Sequence, residues 1–309
     1  MRPIRNPKKT VTNNRPKRVW KRVDGVLLLD KPGGMTSNAA LQTARRLFSA
    51  AKGGHTGTLD PMATGLLPLC FGEATKFSAD LLDADKTYVA DLLFGVTTDT
   101  GDAEGEVLSR CIPAFDRQAL EAALEQFRGP ISQVPPMYSA LKRDGKPLYE
   151  LARQGVEIER EARQVTIREL TLLDHDGDRC CLRVACSKGT YIRTLAEDLG
   201  RVLGCGAHLT ALRRVVVGPL TLDGAVTVAQ IESLPENERA ACLLPVDALL
   251  QSLPAVFLKV EAVRRFMHGN PVAGVAPAGK CRVYEAGRLL GVGEADTCGL
   301  VHPRRLLAS

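Results

Sequence analysis

The sequence lacks the features that mark several common classes of protein. Its nine cysteines form no C-x-x-C pair and no Cys/His cluster with zinc-binding spacing, so we expect reduced thiols and no metal site. It contains no G-x-x-x-x-G-K-[ST] loop and no G-x-G-x-x-G after a strand. No apolar run approaches the roughly 20 residues that span a bilayer, and the N-terminus has no apolar signal segment. These absences predict a cytoplasmic protein without a membrane partner or a nucleotide cofactor.

Basic residues are unevenly distributed along the 309-residue chain. Residues 1–22 hold nine of the 41 basic side chains and none of the 35 acidic ones. This stretch contains Pro and Asn and cannot bury apolar area, so we predict a disordered basic tail that binds a polyanion. A tail that only improves solubility, or a targeting peptide, fits the same composition. Residues 23–253 are acidic overall, so nucleic-acid binding there needs clustered basic side chains.

The composition, 45% hydrophobic and 25% charged, describes a globular protein whose length favours two domains. We predict a first domain over 23–250 and a small β-rich module over 254–309, with a connector near 234–254. Strands and helices interleave without the regular alternation of βαβ units. The pattern therefore favours an α/β (α+β) fold with a mixed, largely antiparallel sheet.

Hydrophobic periodicity predicts the individual elements. Helices are expected after an N-cap at Ser37 and over 116–127, 190–203 and 261–268. Predicted strands cover 26–29, 66–71, 88–94, 165–173, 180–186, 212–217, 256–260, 282–284 and 289–293.

The segment Gly53–Leu67, GGHTGTLDPMATGLL, places one carboxylate in a loop too rich in Gly and Thr to be the interior of a helix or strand. The carboxylate is Asp60, and the Pro after it fixes the chain in an extended or turn conformation. No second acid lies between Lys52 and Gly72. Asp60 would therefore act without a paired carboxylate, as a nucleophile or a base. A solvent-exposed Asp-Pro turn is the alternative interpretation.

Six separated segments together resemble the TruB family of tRNA pseudouridine synthases. They are GVLLLDKPGGMTS (25–37), GGHTGTLDPMATGLLPLCFGEATKFS (53–78), DKTY (85–88), PPMYSALKRDGKPLYELARQG (135–155), CSKGTYIRTLAEDLG (186–200) and GCGAHLTALRR (204–214). The C-terminal module is similar to the RNA-binding PUA domain in its Gly-rich pattern, its KVEAVRRFMHGNPV stretch and its position. The resemblance implies a pseudouridine synthase domain followed by a PUA-like domain.

The resemblance also implies an activity, the isomerisation of uridine to pseudouridine at position 55 in the T arm of tRNA. The bond from the uracil nitrogen to ribose breaks, the base turns, and it reattaches through a ring carbon without redox change or net hydrolysis. We therefore expect no cofactor, a tRNA partner and a monomeric enzyme. Two alternatives are an RNA-guided pseudouridine synthase subunit that needs protein partners, and a non-catalytic tRNA-binding or folding factor.

Individual residues take their roles from the same resemblance. Asp60 falls on the catalytic aspartate, which either attacks the anomeric carbon or removes a ribose proton. Arg193 matches the arginine that pairs with it and can keep it ionised through a bidentate contact. Tyr88 matches the tyrosine that stacks on the extruded base. Tyr191 and Leu212 match a second pocket tyrosine and a pocket leucine.

Other residues are expected to support the site or bind RNA. His55 matches a histidine thought to fill the space of the flipped nucleotide. Lys31 and Pro32 are expected to buttress the catalytic loop, and Lys76 to contact a phosphate. Residues 130–160 resemble a mobile insert that clamps the T arm and becomes ordered on RNA. Its basic side chains and its glycine hinge are Lys142, Arg143, Lys146 and Gly145.

Overall fold

Two β-sheets of different size organise the chain. A computed structural model describes residues 19–139, 141–143 and 145–308. The helices in this part are α1 Ser37–Phe48, α2 Ser78–Leu82, α3 Arg117–Glu125, α4 Leu148–Ala152, α5 Ile192–Val202, α6 Val228–Ser233 and α7 Val260–Met267. The strands are β1 Gly25–Lys31, β2 Gly53–His55, β3 Thr64–Phe71, β4 Lys86–Phe94, β5 Val96–Thr98, β6 Val107–Arg110, β7 Gly129–Gln133, β8 Lys142–Arg143, β9 Lys146–Pro147, β10 Arg163–Asp176, β11 Arg179–Cys186, β12 Ala207–Val217, β13 Leu220–Thr221, β14 Leu243–Leu244, β15 Ala255–Phe257, β16 Val272–Ala273, β17 Gly279–Glu285, β18 Arg288–Ala295 and β19 Leu300–Leu306. None of the described helices is long and apolar enough to cross a bilayer.

The larger sheet has ten strands. Its main order is β14-β1-β3-β12-β4-β11-β10-β7, with β2 beside β3 and β13 beside β12. Neighbouring strands are antiparallel except β3 and β12, which run parallel where Thr64 meets Arg213 and Gly65 meets Arg214. The predicted mixed, largely antiparallel sheet is therefore confirmed. Strands β10 and β11 form the long hairpin expected from the sequence.

Strand β1 shows why the central strands are continuous apolar runs. Successive side chains of a strand point to opposite faces of the sheet. Leu27 packs into a core that includes helices α1, α3 and α5. Leu28 packs into a second core on the other face, together with Leu249 and with Val292 of the C-terminal module. Both faces of β1 are therefore buried, and apolar residues are needed at every position.

The smaller sheet belongs to the C-terminal module. Its five strands follow the order β15-β17-β18-β19-β16, and its own core contains Phe266 of α7 and Val283 of β17. The predicted β-rich module is confirmed. Strand β19 was not predicted, and Val260 begins helix α7 instead of ending a strand.

The module is fixed to the larger domain by polar contacts. The Lys280 ammonium lies 2.7 Å from a carboxylate oxygen of Asp80, and the Tyr284 hydroxyl donates to Asp247 at 2.7 Å. The stretch predicted as a connector is also part of the larger sheet, because Leu243–Leu244 forms edge strand β14 beside β1. The boundaries at 23, 250 and 254 stay predictions.

The N-terminal tail is only partly described. Residues 1–18 lie outside the described part of the chain, so its disorder and its polyanion partner stay predictions. At its end, the Lys21 backbone N–H donates to the Ser49 carbonyl at 2.7 Å, and the Lys21 ammonium lies 2.9 Å from Glu236.

Candidate active site

Five of the expected site residues surround one cavity of about 170 Å³. They come from separate elements: the loop after β2, strand β4, the start of helix α5, and strand β12. The residues are Asp60, Tyr88, Tyr191, Arg193 and Leu212. The fold therefore brings together side chains that the sequence placed in four distant segments.

The loop that carries Asp60, residues 56–63, is here called the catalytic loop. The residue before Asp60 is held by Ser37, whose hydroxyl accepts from the Leu59 N–H at 2.8 Å and donates to the Leu59 carbonyl at 3.0 Å. The predicted N-cap role of Ser37 is wrong. Thr36 caps α1 by accepting from the Ala39 N–H at 3.1 Å, because the Ser37 hydroxyl is occupied by the catalytic loop.

The residue after Asp60 is held by Lys31. The Lys31 side chain is fully buried, and its ammonium donates to the carbonyls of Pro32, Met35 and Pro61 at 2.8, 2.7 and 3.2 Å. Burial is the main reason why the pKa of Lys31 falls to about 8. The contacts join the turn that contains Pro32 to Pro61, and the buttressing role of Lys31 and Pro32 stays a prediction.

The other end of the catalytic loop contacts Arg214. The Arg214 side chain is buried, and it donates to the carbonyls of Leu66 at 2.8 Å, Thr58 at 3.4 Å and Gly57 at 3.3 Å. Gly65 allows the close approach of β3 and β12 here. It has φ +96°, and a Cβ atom on it would lie 2.3 Å from the Arg214 carbonyl oxygen.

Asp60 and Arg193 form an ion pair inside the cavity. The Arg193 Nε lies 3.0 Å from Asp60, whose side chain is 35% exposed, whereas that of Arg193 is 5% exposed. The contact to Asp60 runs through Nε and not through the expected bidentate pair. The Nη1 and Nη2 groups donate to the carbonyls of Thr100 at 2.9 Å and Tyr138 at 2.7 Å. The guanidinium is thus fixed by three parts of the chain.

A second carboxylate, Asp102, shares the Arg193 guanidinium at 3.6 Å. The sequence did not indicate this neighbouring carboxylate, and the prediction that Asp60 acts without a paired carboxylate stays a prediction. Asp102 is buried, and it accepts from the Thr100 hydroxyl at 2.6 Å and the Glu104 N–H at 3.0 Å. The run DTGDAEG at residues 99–105 has the turn composition of an Asp-centred loop, but nothing in the spacing relates it to Arg193.

The charge of Asp60 is set by opposing effects. Burial raises the pKa of the Asp60 carboxyl, Arg193 lowers it, and the negative charge of Asp102 raises it further. The net direction is upward, so burial outweighs the guanidinium that was expected to dominate. A carboxylate tuned in this way is a better base or nucleophile than an exposed one.

Comparison with known proteins decides the family. Residues 45–192 match the TruB family pseudouridylate synthase N-terminal domain. Residues 193–251 match the tRNA pseudouridylate synthase B C-terminal domain, and residues 254–307 match the C-terminal domain of pseudouridine synthase II TruB. The chain belongs to the TruB family. The predicted family resemblance is confirmed.

Close relatives cover nearly the whole chain. A tRNA pseudouridine synthase B from Dechloromonas aromatica (strain RCB) is 66% identical over 94% of this chain and 98% of its own. One from Aromatoleum aromaticum (strain DSM 19018 / LMG 30748 / EbN1) is 58% identical over 93% of this chain and 94% of its own. Among solved structures, an H/ACA RNP bound to a substrate RNA containing 2'-deoxyuridine has a chain with a TM-score of 0.70 and 23% identity. The match covers 92% of this chain and 85% of that one, and it supports the pseudouridine synthase fold.

The two tyrosines of this TruB-family site are half-buried. Burial raises the pKa of Tyr88, and the positive charge of Arg214 lowers that pKa by less, so the net direction is upward. Tyr191 is held by Gln133, whose side-chain amide accepts from the Tyr191 N–H at 3.0 Å and donates to its carbonyl at 3.3 Å. Burial also raises the pKa of Tyr191. Both phenols therefore stay neutral near pH 7.

His55 and Lys76 do not line the cavity. His55 ends β2, one residue before the catalytic loop; its pKa is lowered by burial and then by Arg214, which favours the neutral imidazole. The Lys76 ammonium donates to Glu73 at 2.7 Å and to the Leu306 carbonyl at 2.9 Å. Lys76 therefore joins the larger domain to the C-terminal module, and its expected phosphate contact stays a prediction.

The insert is partly described. It contains the short hairpin β8–β9, helix α4, and Gly145 with φ +81°, a backbone conformation suited to a hinge glycine. Lys146 is exposed. The side chains of Lys142 and Arg143 lie outside what the structure describes, so their contacts with RNA stay predictions.

Proposed function

We propose that the chain isomerises uridine to pseudouridine in tRNA, at uridine 55 of the T arm, with Asp60 as the reacting carboxylate. The observation that carries this proposal is the Asp60–Arg193 pair at 3.0 Å in a cavity walled by Tyr88, Tyr191 and Leu212. Relatives that are 58% and 66% identical and carry the name tRNA pseudouridine synthase B support it.

The reaction balances without a co-reactant. The bond between uracil N1 and ribose C1′ breaks, the base turns, and a bond forms between C5 and C1′. The proton lost from C5 and the proton gained at N1 leave the composition unchanged. Asp60 either attacks C1′ or removes the C2′ proton to give a glycal, and both routes require the ionised carboxylate at the sugar. Arg193 supports that form electrostatically and holds its direction.

The other pocket residues act on the base. A uridine inside a folded arm must leave its stack at a cost of a few kcal/mol before any side chain can reach it. Tyr88 offers a ring face on which the extruded uracil stacks, and Tyr191 and Leu212 complete the wall. We propose that His55 fills the space that the base vacates. Its lowered pKa means that the imidazole places no charge there.

The insert and the C-terminal module provide the RNA-binding surface in this proposal. The exposed Lys146 is suited to contact phosphates. We expect a monomer, because the cavity is formed by residues of a single chain. A cytoplasmic location follows from a tRNA substrate and stays a prediction.

The proposal is tested by incubating the purified chain with an unmodified tRNA transcript and mapping pseudouridine. Full conversion at position 55 by the chain alone is the expected result. An RNA-guided subunit would leave the transcript unmodified until a guide RNA and partner proteins were added. A non-catalytic tRNA-binding factor would bind the transcript with no conversion, so either result would contradict the proposal.

A further inference from the structure

Arg214 is a buried cation that neutral groups hold in place. Its side chain is among the largest fully buried ones of the described residues. Within the described ranges, its hydrogen bonds go to the carbonyls of Gly57, Thr58 and Leu66, and no carboxylate forms an ion pair with it. A buried charge without a counter-ion is costly unless its donors are satisfied. Packing alone would be served better by an apolar residue.

The partners of Arg214 are parts of the reacting site. Gly57 and Thr58 belong to the catalytic loop, three and two residues before Asp60. Tyr88 of β4 lies directly opposite Arg214 in the register of β4 and β12, so the two side chains are neighbours on one face of the sheet. One planar group with five donors in a fixed fork therefore donates to the loop that carries the carboxylate and lies beside the tyrosine that lines the cavity.

We propose that Arg214 is a positioning residue for the isomerisation, which sets the distance between the Asp60 carboxylate and the stacking face of Tyr88. This inference rests on the proposed function. The sugar and the base of one nucleotide must be presented to these two side chains at the same time. A displacement of about 1 Å between reacting groups can cost on the order of 100-fold in rate.

Ser37, Lys31 and Arg214 hold different parts of the site. Ser37 fixes Leu59 and Lys31 fixes Pro61, so each controls the residues beside Asp60. Of these three residues, Arg214 is the one that pairs with Tyr88 across strands β12 and β4. Its loss should therefore disturb the relation between carboxylate and ring, and not only the order of the catalytic loop.

The test compares Arg214→Lys and Arg214→Met with Arg213→Lys, a matched control on the same strand. Arg213 pairs with Asp30 at 2.7 Å, and its side chain is 42% exposed. At saturating enzyme and well below the melting temperature, we expect Arg214→Lys to lower the single-turnover rate about ten-fold and Arg214→Met about 100-fold. We expect tRNA affinity to stay within about three-fold of wild type, and Arg213→Lys to keep the wild-type rate.

Two readouts separate positioning from general stability. Hydrogen exchange of peptides that span residues 56–63 should speed up in Arg214→Lys and not in Arg213→Lys. The pKa of His55, followed by NMR, should rise in Arg214→Met because Arg214 lowers it in the wild type, and should stay low in Arg214→Lys, which keeps the charge. If Arg214→Met does not fold, Arg214→Lys carries the kinetic test.

A wild-type rate in Arg214→Lys, or a loss equal to that of Arg213→Lys, would overturn the inference. A loss confined to tRNA affinity would also overturn it. If the wild type itself forms no pseudouridine, the proposed function fails, whereas the exchange and NMR measurements still decide whether Arg214 orders the catalytic loop.

Discussion

The catalytic loop and the insert both border the cavity, but they are held in different ways. The catalytic loop is bonded to three buried side chains from outside itself, Ser37, Lys31 and Arg214. In the described part of the insert after β7, backbone bonds are largely internal, such as that from the Leu148 N–H to the Leu141 carbonyl at 2.7 Å.

The difference matches the demands on the two regions. A reacting carboxylate gains most from a geometry that is set before the substrate arrives. A surface that follows an RNA backbone gains from adjustment on binding. The two regions meet at Arg193, which contacts Asp60 and also the Tyr138 carbonyl within the insert.

The largest expected effect is at Asp60. Asp60→Asn keeps the shape of the side chain and removes its charge. Turnover should fall by more than about 10⁴-fold, as when a nucleophile or base is removed from other enzymes, while tRNA affinity stays near wild type. Single-turnover assays and filter binding measure the two quantities, and residual activity near wild type would remove Asp60 from the mechanism.

Arg193→Lys is expected to have the next largest effect. Lysine keeps the positive charge but cannot reach Asp60, the Thr100 carbonyl and the Tyr138 carbonyl with one planar group. The rate should fall on the order of 100-fold. The matched control is Arg201→Lys on the same helix, because the Arg201 side chain is 76% exposed and pairs with Asp198. Equal rates for the two variants would show that the geometry of Arg193 is unimportant.

The pH dependence of the single-turnover rate tests whether Asp102 is part of the preformed site around Asp60. The active form of Asp60 is ionised, so the single-turnover rate should rise with pH. Because burial raises its pKa, the inflection should lie above the ordinary value of 3.8. Asp102 raises that pKa further, so Asp102→Asn should move the inflection to lower pH. The plateau should fall about ten-fold because Arg193 loses a partner. An inflection that moves to higher pH would contradict this account.

The smallest effect should appear in the insert. If it closes on the T arm, tRNA should protect the segment near Gly145 from limited proteolysis, while the catalytic loop resists cleavage with and without RNA. Cleavage sites can be read by mass spectrometry. Unchanged cleavage of the insert at saturating tRNA would make it a passive surface loop.

Part of this site could be predicted from the sequence because it lies in compact segments. The Gly- and Thr-rich composition around Asp60 indicated a functional loop, and the KGTYIRT segment indicated Arg193. Asp102 was missed because its relation to Arg193 is created by the packing of the 99–106 turn against helix α5. Arg214 was missed because an arginine in a strand is ordinarily solvent-exposed, and its partners are backbone carbonyls, which leave no pattern in the sequence.

Ser37 was predicted in the wrong role for a physical reason. Thr36 and Ser37 are both good N-cap residues, and the choice depends on Leu59, which lies 22 positions away. The contacts of Lys76 were not predicted, because its ammonium donates to Glu73 and to the carbonyl of Leu306, 230 positions along the chain. Its phosphate contact stays a prediction.

In this account, the site is divided into a rigid reacting loop and an adaptable RNA-binding insert. The most direct test of this division measures the single-turnover rate and the tRNA Kd of two variants. Ser37→Ala removes a contact of the catalytic loop, and Lys146→Ala removes an exposed charge from the insert. We predict that Ser37→Ala lowers the single-turnover rate about ten-fold at unchanged tRNA Kd, and that Lys146→Ala raises the Kd about three-fold at unchanged rate. The opposite assignment, or equal changes of both constants in both variants, would contradict the account.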